Sequence, residues 1–178
     1  EQLRKQLELQ HGVGEEAILG QLRNIKWFSD KSHAQLIDLA RRGRRRFYPR
    51  YATIFREGTI GTSFSVVLHG QVLCTSTEPK KTFKFTLQSG QSFGETALIA
   101  KEVRRELTAT AMQDCLLWML RADDLGGLDV QFSEIQRHVI SRMLEGVPFF
   151  KSLPKPTQDA LAGIMDVRYY QSHERVFE

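Results

Sequence analysis

The segment 93–111, FGETALIAKEVRRELTATA, holds the residues whose chemistry is easiest to interpret. Gly94 and Glu95 stand before a short apolar stretch that is typical of a brief helix. A glycine lets the backbone approach a ligand closely, and the first N–H groups of a helix attract an anion. The Glu95 carboxylate suits sugar hydroxyl groups, which donate hydrogen bonds, and the arginine that follows the helix supplies planar donors for phosphate oxygens. The segment therefore predicts a pocket for a sugar phosphate.

No second group of residues indicates catalysis or a metal site. The five histidines are scattered along the chain: His11, His33, His69, His138 and His173. No nucleophile, base and orienting group can be assembled from a motif, so we predict no catalytic residue and no enzyme. Cys74 and Cys115 have no C-x-x-C partner, which argues against zinc, and two reduced core thiols are favoured over one disulfide. We predict no metal and no cofactor, with a sugar phosphate as the ligand.

The composition indicates one folded core and leaves room for part of another. The chain has 178 residues, of which 41% are hydrophobic and 26% are charged, which is ordinary for a globular protein. No apolar run approaches the roughly 20 residues that a bilayer span requires, and residues 1–10 are too polar for a secretory signal. We therefore expect a cytoplasmic protein without a membrane span.

The basic run RRGRRR at 41–46 raises the question of a nucleic-acid partner, because the net charge is +4. No aromatic residue interleaves with these arginines as a stacking platform. We therefore interpret the run as the solvated end of a helix that Gly43 terminates, since arginines are favoured near the negative end of the helix dipole. No nucleic-acid partner is predicted.

The hydrophobic pattern changes twice along the chain. Leucines and isoleucines recur at helical spacing in 2–24, broken by Gly12 and Gly14, and AQLIDLA predicts a further helix after a Ser/Asp opening. From residue 46 short β-branched and aromatic segments predict antiparallel strands. Residues 134–145 return to helix, with Ser133 as N-cap. The order indicates an α+β fold with a β-barrel or jelly roll and one short internal helix.

The sequence also repeats itself. Residues 27–55 align with 149–177 without a gap at a constant offset of 122. Phe28/Phe150 and Leu39/Leu161 are identical pairs, and the matches keep helix phase and then strand phase. We therefore expect a duplicated module and a chain that is part of a longer protein with at least two such modules.

These residues resemble the cyclic nucleotide-binding domain, found in regulatory subunits of cAMP-dependent protein kinase, cGMP-dependent kinases, gated channels and bacterial catabolite activators. Its phosphate-binding cassette reads F-G-E-x-A-L-[I/L/M], then R-x-A-[T/S]-V after a loop. Residues 93–99 match the first part, and Arg105, Thr108 and Leu117 with Trp118 fit the second. Upstream, FREGTIGTSFSVVLHGQV is similar to the family's F-x-E-G-x-x-G-x-x-F-x-x-I-x-x-G-x-V.

The resemblance implies an eight-stranded antiparallel β-barrel or jelly roll with a short phosphate-binding-cassette helix, flanked by N-terminal and C-terminal helices. It divides the chain into an N-terminal helical lead (1–13), one domain (14–145) and the start of a second, truncated domain (146–178). Tandem modules resemble the kinase regulatory subunits more than channels or bacterial activators. The implied partners are a cyclic nucleotide and a kinase catalytic subunit or another effector.

The resemblance also assigns roles to individual residues. Glu95 accepts a hydrogen bond from the ribose 2′-OH, Arg105 pairs with the cyclic phosphate, and the N–H groups of Ala97 and Leu98 cap that phosphate. Val67, Leu73 and Leu98 are the expected walls for the base. The full set of expected ligand-binding residues is Gly94, Glu95, Thr96, Ala97, Leu98, Arg104, Arg105, Glu106, Thr108, Val67 and Leu73.

Three departures from the family pattern affect these roles. Arg104 stands at the family's usual distance from the cassette glutamate, but Arg105 puts TATA and LLW in the family's strand phase, so we choose Arg105. Glu106 occupies a position where the family has small residues, and a carboxylate repels a phosphate unless it turns to solvent or pairs with Arg104. The threonine that often favours cGMP directly after the arginine is absent, and Thr96 replaces the usual apolar residue or lysine.

Two functions remain open at this point. The first is a regulatory module that binds a cyclic nucleotide, cAMP rather than cGMP, and relays occupancy through helix 134–145 to a kinase or other effector. The second is a degenerate domain of the same fold that binds a nucleoside or no nucleotide and serves protein interaction. Phe149 and Phe150 suit either a lid over the base or packing within the second module, and we favour packing.

Overall fold

A computed structural model describes residues 14–76, 84–99, 103–126, 132–168, 170 and 175. The chain divides into two compact units, Glu1–Val130 and Gln131–Glu178. The predicted lead at 1–13 lies outside the described residues. The domain boundary expected after residue 145 stays a prediction, and helix 132–145 falls within the second compact unit. No helix in the described parts of the chain is long and apolar enough to cross a membrane.

Two helices open the first unit. Helix α1 (Glu15–Arg23) buries Ile18, Leu19 and Leu22, and a 3-10 turn (Lys26–Phe28) leads to helix α2 (His33–Arg42). Ser32 and Gln35 form a capping box at the start of α2, because each side chain hydrogen-bonds the other's backbone N–H. The Ser/Asp opening predicted directly after IKWF, Ser29 and Asp30, lies before the helix, and Ser32 is the residue that caps it.

Strands fold into two four-stranded antiparallel sheets. The eight strands that the structure describes are β1 (Arg44–Tyr48), β2 (Thr53–Phe55), β3 (Ser63–His69), β4 (Gln71–Thr75), β5 (Lys84–Gln88), β6 (Ser92–Phe93), β7 (Thr108–Ala111) and β8 (Cys115–Arg121). Their orders are β1-β8-β3-β6 and β2-β7-β4-β5. Helix α3 (Thr96–Ile99) lies between β6 and β7 in the chain. The predicted α+β class, with a jelly roll and a short cassette helix, is confirmed.

The arginine run was assigned wrongly in part. Helix α2 ends at Arg42, Gly43 is its C-cap, and Arg44 already opens β1. The reason is the Trp118 side chain, whose Nε1 donates to the Ala40 carbonyl at 3.0 Å and whose indole fills the space where Gly43 would carry a Cβ. The chain therefore leaves the helix at Gly43 and pairs with β8 at once, with Arg44 opposite Met119.

The core of the barrel lies between the sheets. Ten buried residues form one cluster, and they include Val67, Val72, Cys74 and Phe93. Cys115 belongs to the same cluster, and the two cysteines are buried thiols that form no disulfide.

Helices make up most of the described part of the second unit. It contains α4 (Phe132–Glu145), α5 (Pro148–Lys151) and α6 (Lys155–Ile164). Ser133 was predicted as an N-cap, but α4 begins one residue earlier, so Ser133 lies in its first turn. Phe150 packs against the small cluster around Ile140, as favoured, whereas Phe149 is 68% exposed.

The duplication is visible in the helix boundaries. When α2 (His33–Arg42) is shifted by the offset of 122, it falls on residues 155–164, which are the bounds of α6. The 3-10 turn shifts to 148–150, within α5. The sequence repeat therefore corresponds to a repeat of secondary structure.

Candidate ligand-binding site

Arg105 is positioned by a short extended segment that pairs with the loop 56–61. The Arg105 N–H donates to the Thr59 carbonyl at 2.8 Å, and its own carbonyl accepts from the Gly58 N–H at 2.8 Å. An isolated bridge joins Ile60 and Arg104. Because side chains alternate along extended backbone, Arg105 points inward while its neighbour Arg104 points to solvent.

The Arg105 guanidinium group is buried and only partly satisfied. The side chain is 8% exposed, its Nη2 donates to the Ser63 carbonyl at 2.7 Å, and its Cζ lies 4.3 Å from the centre of the Phe55 ring. Nε and Nη1 have no hydrogen-bond partner among the residues that the structure describes. Burial lowers the pKa of Arg105, and the charge of Glu95 acts in the opposite direction. A buried cation with unmade hydrogen bonds is costly, so the group is prepared to receive an acceptor.

Two glycines make room for this guanidinium group. A Cβ at Gly61 would lie 2.9 Å from Arg105 Nε. A Cβ at Gly94 would collide with Arg105 Nη1 and would stand 3.0 Å from the Ser63 carbonyl, and Gly94 has a φ of +81°. The close approach and the positive φ both require glycine at residue 94. Both unsatisfied nitrogens of Arg105 are thus bordered by backbone without side chains.

The cassette brings Glu95 beside Arg105. Glu95 is 6% exposed, and its charge is close enough to raise the pKa of Arg105 against the effect of burial. Ala97 and Leu98 are buried behind it. Their N–H groups donate to the carbonyls of Gly94 at 3.1 Å and Glu95 at 3.0 Å. The expectation that these two N–H groups cap a phosphate therefore requires the turn to open or the bonds to be shared, and it stays a prediction.

The site consists of a cationic fork and a carboxylate, held side by side at the edge of a β-barrel core. The sequence model of the family described as the cyclic nucleotide-binding domain matches residues 45–129, which include all of these groups. The chain contains a cyclic nucleotide-binding domain. Several known proteins are similar to this chain in sequence or in fold.

Two protein kinase components illustrate the similarity of the cyclic nucleotide-binding domain. The chain is 30% identical over 123 residues to the cAMP-dependent protein kinase regulatory subunit of Eremothecium gossypii, a match that covers 69% of the chain and 26% of that protein. It is 28% identical over 124 residues to a cGMP-dependent protein kinase of Drosophila melanogaster, a match that covers 70% of the chain and 11% of that protein. The chain thus spans about a quarter or less of these relatives.

The fold of the cyclic nucleotide-binding domain also matches solved structures. The regulatory domain of Toxoplasma gondii PKA with cAMP aligns with a TM-score of 0.64 at 20% identity, covering 84% of this chain and 57% of that one. The Catabolite Activator Protein of Thermus thermophilus aligns with a TM-score of 0.57 at 24% identity, covering 67% and 58%. At these identities the alignments establish the fold.

Arg104 and Glu106, the residues on either side of Arg105 in the sequence, face solvent. Arg104 is exposed, and its Nη1 donates to the Gly58 carbonyl at 2.7 Å. Glu106 is exposed as well. Arg105 is thus the buried member of the arginine pair, and its role in phosphate binding stays a prediction. The carboxylate of Glu106 takes the solvent-facing orientation that was one of its two expected solutions.

Four other predicted residues fall in different places. Val67 is fully buried in the barrel core. Leu73 lies on the face of β4 opposite Val72 and Cys74, which belong to that core, so the structure does not group it with Val67. Thr108 is half-buried, and its Oγ1 accepts from the Glu57 N–H at 3.0 Å, which holds the loop. Thr96 is half-buried in the first turn of α3.

Sequence reasoning missed three groups that contact Arg105. They are the Phe55 ring, the backbone at Gly61 and the Ser63 carbonyl. All three lie in FREGTIGTSF, the upstream motif already matched to the family. Their roles depend on close backbone approach, which residue types alone do not reveal. No cluster of three or more His, Cys, Asp or Glu suited to a metal occurs within the described ranges.

Proposed function

We propose that the domain binds a cyclic nucleotide, cAMP in preference to cGMP, with Arg105 contacting the phosphate and Glu95 the ribose. The unsatisfied Nε and Nη1 of Arg105 carry this proposal. A guanidinium group presents paired donors that match two phosphate oxygens. The Glu95 carboxylate beside it favours the charged form of the arginine. The same carboxylate offers an acceptor for a sugar hydroxyl.

The exposure of Glu106 supports phosphate binding over the degenerate alternative. That alternative rested on repulsion between the Glu106 carboxylate and a bound phosphate. Glu106 is exposed at a bend between Arg105 and β7, where the dielectric constant of water and salt weaken its field. The repulsion is therefore small, and a domain with no phosphate ligand has no comparable observation in its favour.

One feature supports cAMP over cGMP. The residue directly after Arg105 is Glu106, which is exposed and ionisable, and it stands where a threonine often favours cGMP in the resembling family. Relatives from both kinase classes match the chain, so the identities alone do not decide the base. The preference is accordingly expected to be moderate.

The relay of occupancy is a proposal about helix α4. The boundary between the compact units falls at Val130 and Gln131, immediately before this helix. Boundaries of this kind are where relative motion is expected unless a large apolar interface prevents it. We place the effector, a kinase catalytic subunit or another domain, downstream of this motion, in a cytoplasmic protein with a second module beginning near residue 146.

Calorimetric titration of the protein with cAMP, cGMP and adenosine tests the ligand. The Arg105→Lys variant keeps the charge but loses the planar fork, and we expect cAMP affinity to fall by about tenfold or more, because charge-assisted hydrogen bonds contribute roughly 1.5–3 kcal/mol each. Arg104→Lys is the matched control and should bind cAMP as the wild type does. Equal losses in the two variants, or no cyclic nucleotide binding by the folded wild type, would contradict the proposal.

Hydrogen exchange tests the relay separately. Amides of 132–145 should change their protection when cAMP is added to the wild type and should not change in Arg105→Lys at the same concentration. If cAMP binds but exchange in α4 does not change, binding stands and the relay through this helix is wrong.

A further inference from the structure

A row of arginines lies along an open sheet edge, away from the nucleotide site. Strand β1 is the terminal strand in the order β1-β8-β3-β6, and its residues pair with β8 on one side. Arg44 and Arg46 alternate onto the same face, and both are exposed. Arg50 follows in the next turn and is also exposed. We call Arg44, Arg46, Arg50 and Tyr51 the arginine edge.

The cations of the arginine edge have no carboxylate partner within the described residues, unlike their neighbours in sequence. Arg41 pairs with Glu15 at 2.9 Å, and Arg42 pairs with Asp38 at 2.8 Å. No ion pair of this kind is formed by Arg44, Arg46 or Arg50 in the part of the chain that the structure describes. The arginine edge therefore presents unneutralised charge where the adjacent helix does not.

Aromatic rings hold two of these arginines. Arg46 lies 5.5 Å from the centre of the Tyr48 ring, and Arg50 lies 4.6 Å from the centre of the Tyr51 ring. Tyr51 is 64% exposed and has a φ of 67°, which is unfavourable for a residue other than glycine. Strain of this kind is often retained where a side chain has a task. Exposed Tyr and Arg side chains are also the types that dominate binding energy at protein interfaces.

We propose that the arginine edge binds an acidic, extended segment of a partner protein, which adds to the sheet as a strand beside β1. The free side of an edge strand presents backbone N–H and C=O groups that such a segment can pair with. Arg44 and Arg46 are two residues apart on one face, roughly 6.6 Å. Carboxylates at alternate positions of an added strand have the same spacing, so each would face an arginine.

A protein segment fits this surface better than a single-stranded nucleic acid. Nucleic-acid binding of that kind uses successive aromatic side chains as a stacking platform. Of the two tyrosines that contact these arginines, Tyr51 is exposed but Tyr48 is only 8% exposed. The arginine edge therefore presents one ring and not a series of rings. Asp114 stands at the end of the edge, where its Oδ1 accepts from the Arg50 N–H at 2.8 Å, so Arg44 and Arg46 are the cations that an acidic segment would pair with.

Fluorescence anisotropy with a labelled peptide of alternating Glu and Thr tests the proposal. We expect binding at low ionic strength that weakens with salt, and a loss of about tenfold in Arg46→Glu. Lys84→Glu is the matched control, because Lys84 is exposed on β5, the terminal strand of the other sheet, and the substitution changes the net charge equally. This control should bind the peptide within about twofold of the wild type. Arg44→Glu provides the same test if Arg46→Glu does not fold.

Backbone pairing is tested with the same peptide N-methylated at alternate residues, which keeps the charge but blocks hydrogen bonds on one side. We expect its affinity to fall by about tenfold. Equal losses in the Arg46 and Lys84 variants, full affinity of the N-methylated peptide, or no binding at low salt would each overturn the proposal. Tighter binding of oligothymidylate than of the peptide, lost in Arg46→Glu, would overturn it in favour of a nucleic-acid surface.

Discussion

Gly94 has two roles: it adopts a positive φ, and it leaves room for the Arg105 guanidinium group. The variant Gly94→Ala tests both roles. Gly94 has a φ of +81°, where an L-residue pays roughly 1–2 kcal/mol. Its new Cβ would also meet Arg105 Nη1 and stand 3.0 Å from the Ser63 carbonyl. Since Ser63 is part of a central strand, the guanidinium group is what moves. The substitution is therefore expected to cost stability and also to displace the Arg105 guanidinium group, the proposed contact of the phosphate.

Gly90→Ala is the control for the backbone cost alone. Gly90 has a φ of +88°, and a Cβ there would have no atom within 4 Å. Both variants should lose about 1–2 kcal/mol in the free energy of unfolding from the conformational cost, which urea denaturation measures. We expect cAMP affinity to fall by between about tenfold and a hundredfold in Gly94→Ala, equivalent to one charge-assisted hydrogen bond, and to be unchanged in Gly90→Ala.

The readout is calorimetric titration with cAMP and, separately, with adenosine. Adenosine lacks the phosphate, so any affinity it has should not change in Gly94→Ala. Unchanged cAMP affinity in a folded Gly94→Ala protein would refute the argument that Arg105 reads the phosphate from this position. An equal loss of cAMP affinity in Gly90→Ala would show that general destabilisation is responsible.

Three further substitutions, the last with a matched control, have definite expectations. Glu106→Gln should change cAMP affinity by less than about twofold at physiological salt, because the side chain is exposed and its charge is screened; a tenfold gain by titration would mean that the repulsion operates. Tyr51→Gly should raise the free energy of unfolding by about 1 kcal/mol, because it relieves a φ of 67°, and a loss in urea denaturation would contradict the strain. Gly43→Ala should lower the free energy of unfolding by about 1–3 kcal/mol, because the new Cβ would collide with the Trp118 indole. Gly20→Ala in α1 is the control, because a Cβ there has open space, and it should be neutral or stabilising. Thermal melting measures both.

The fold was predictable because its signals are local. Short β-branched and aromatic segments indicate most of the strands, the helical spacing in AQLIDLA indicates α2, and the cassette motif places α3 between strands. The start of β1 was not predictable, since it depends on where the Trp118 indole meets Gly43, a contact between residues far apart in the chain. Local pattern carries no information about such a contact.

The sequence pointed to Glu95 and Arg105, which the structure buries beside each other. It was less informative about how the surrounding residues are oriented. Leu73 was expected to line the site of the base because it is apolar. In β4, however, Val72 and Cys74 face the core, and Leu73 lies on the opposite face of the strand. The N–H groups of Ala97 and Leu98 were expected to be available, yet they bond within the cassette turn. Both differences concern which side of a backbone faces inward, and that depends on pairing partners elsewhere.

The triplet Arg104-Arg105-Glu106 shows how strand phase assigns different roles to similar residues. Two arginines adjacent in sequence have nearly identical chemistry, but alternation gives one a buried position 4.3 Å from the Phe55 ring and the other a surface bond to Gly58. Glu106, at the bend that follows, is exposed as well, so the carboxylate next to Arg105 does not face the proposed ligand. A shift of one residue would bury Arg104 and Glu106 together and expose Arg105. The pairing of 103–105 with the loop 56–61 prevents that shift, because Thr59 and Gly58 hydrogen-bond both backbone groups of Arg105. The loop is therefore as necessary to the site as the cassette itself.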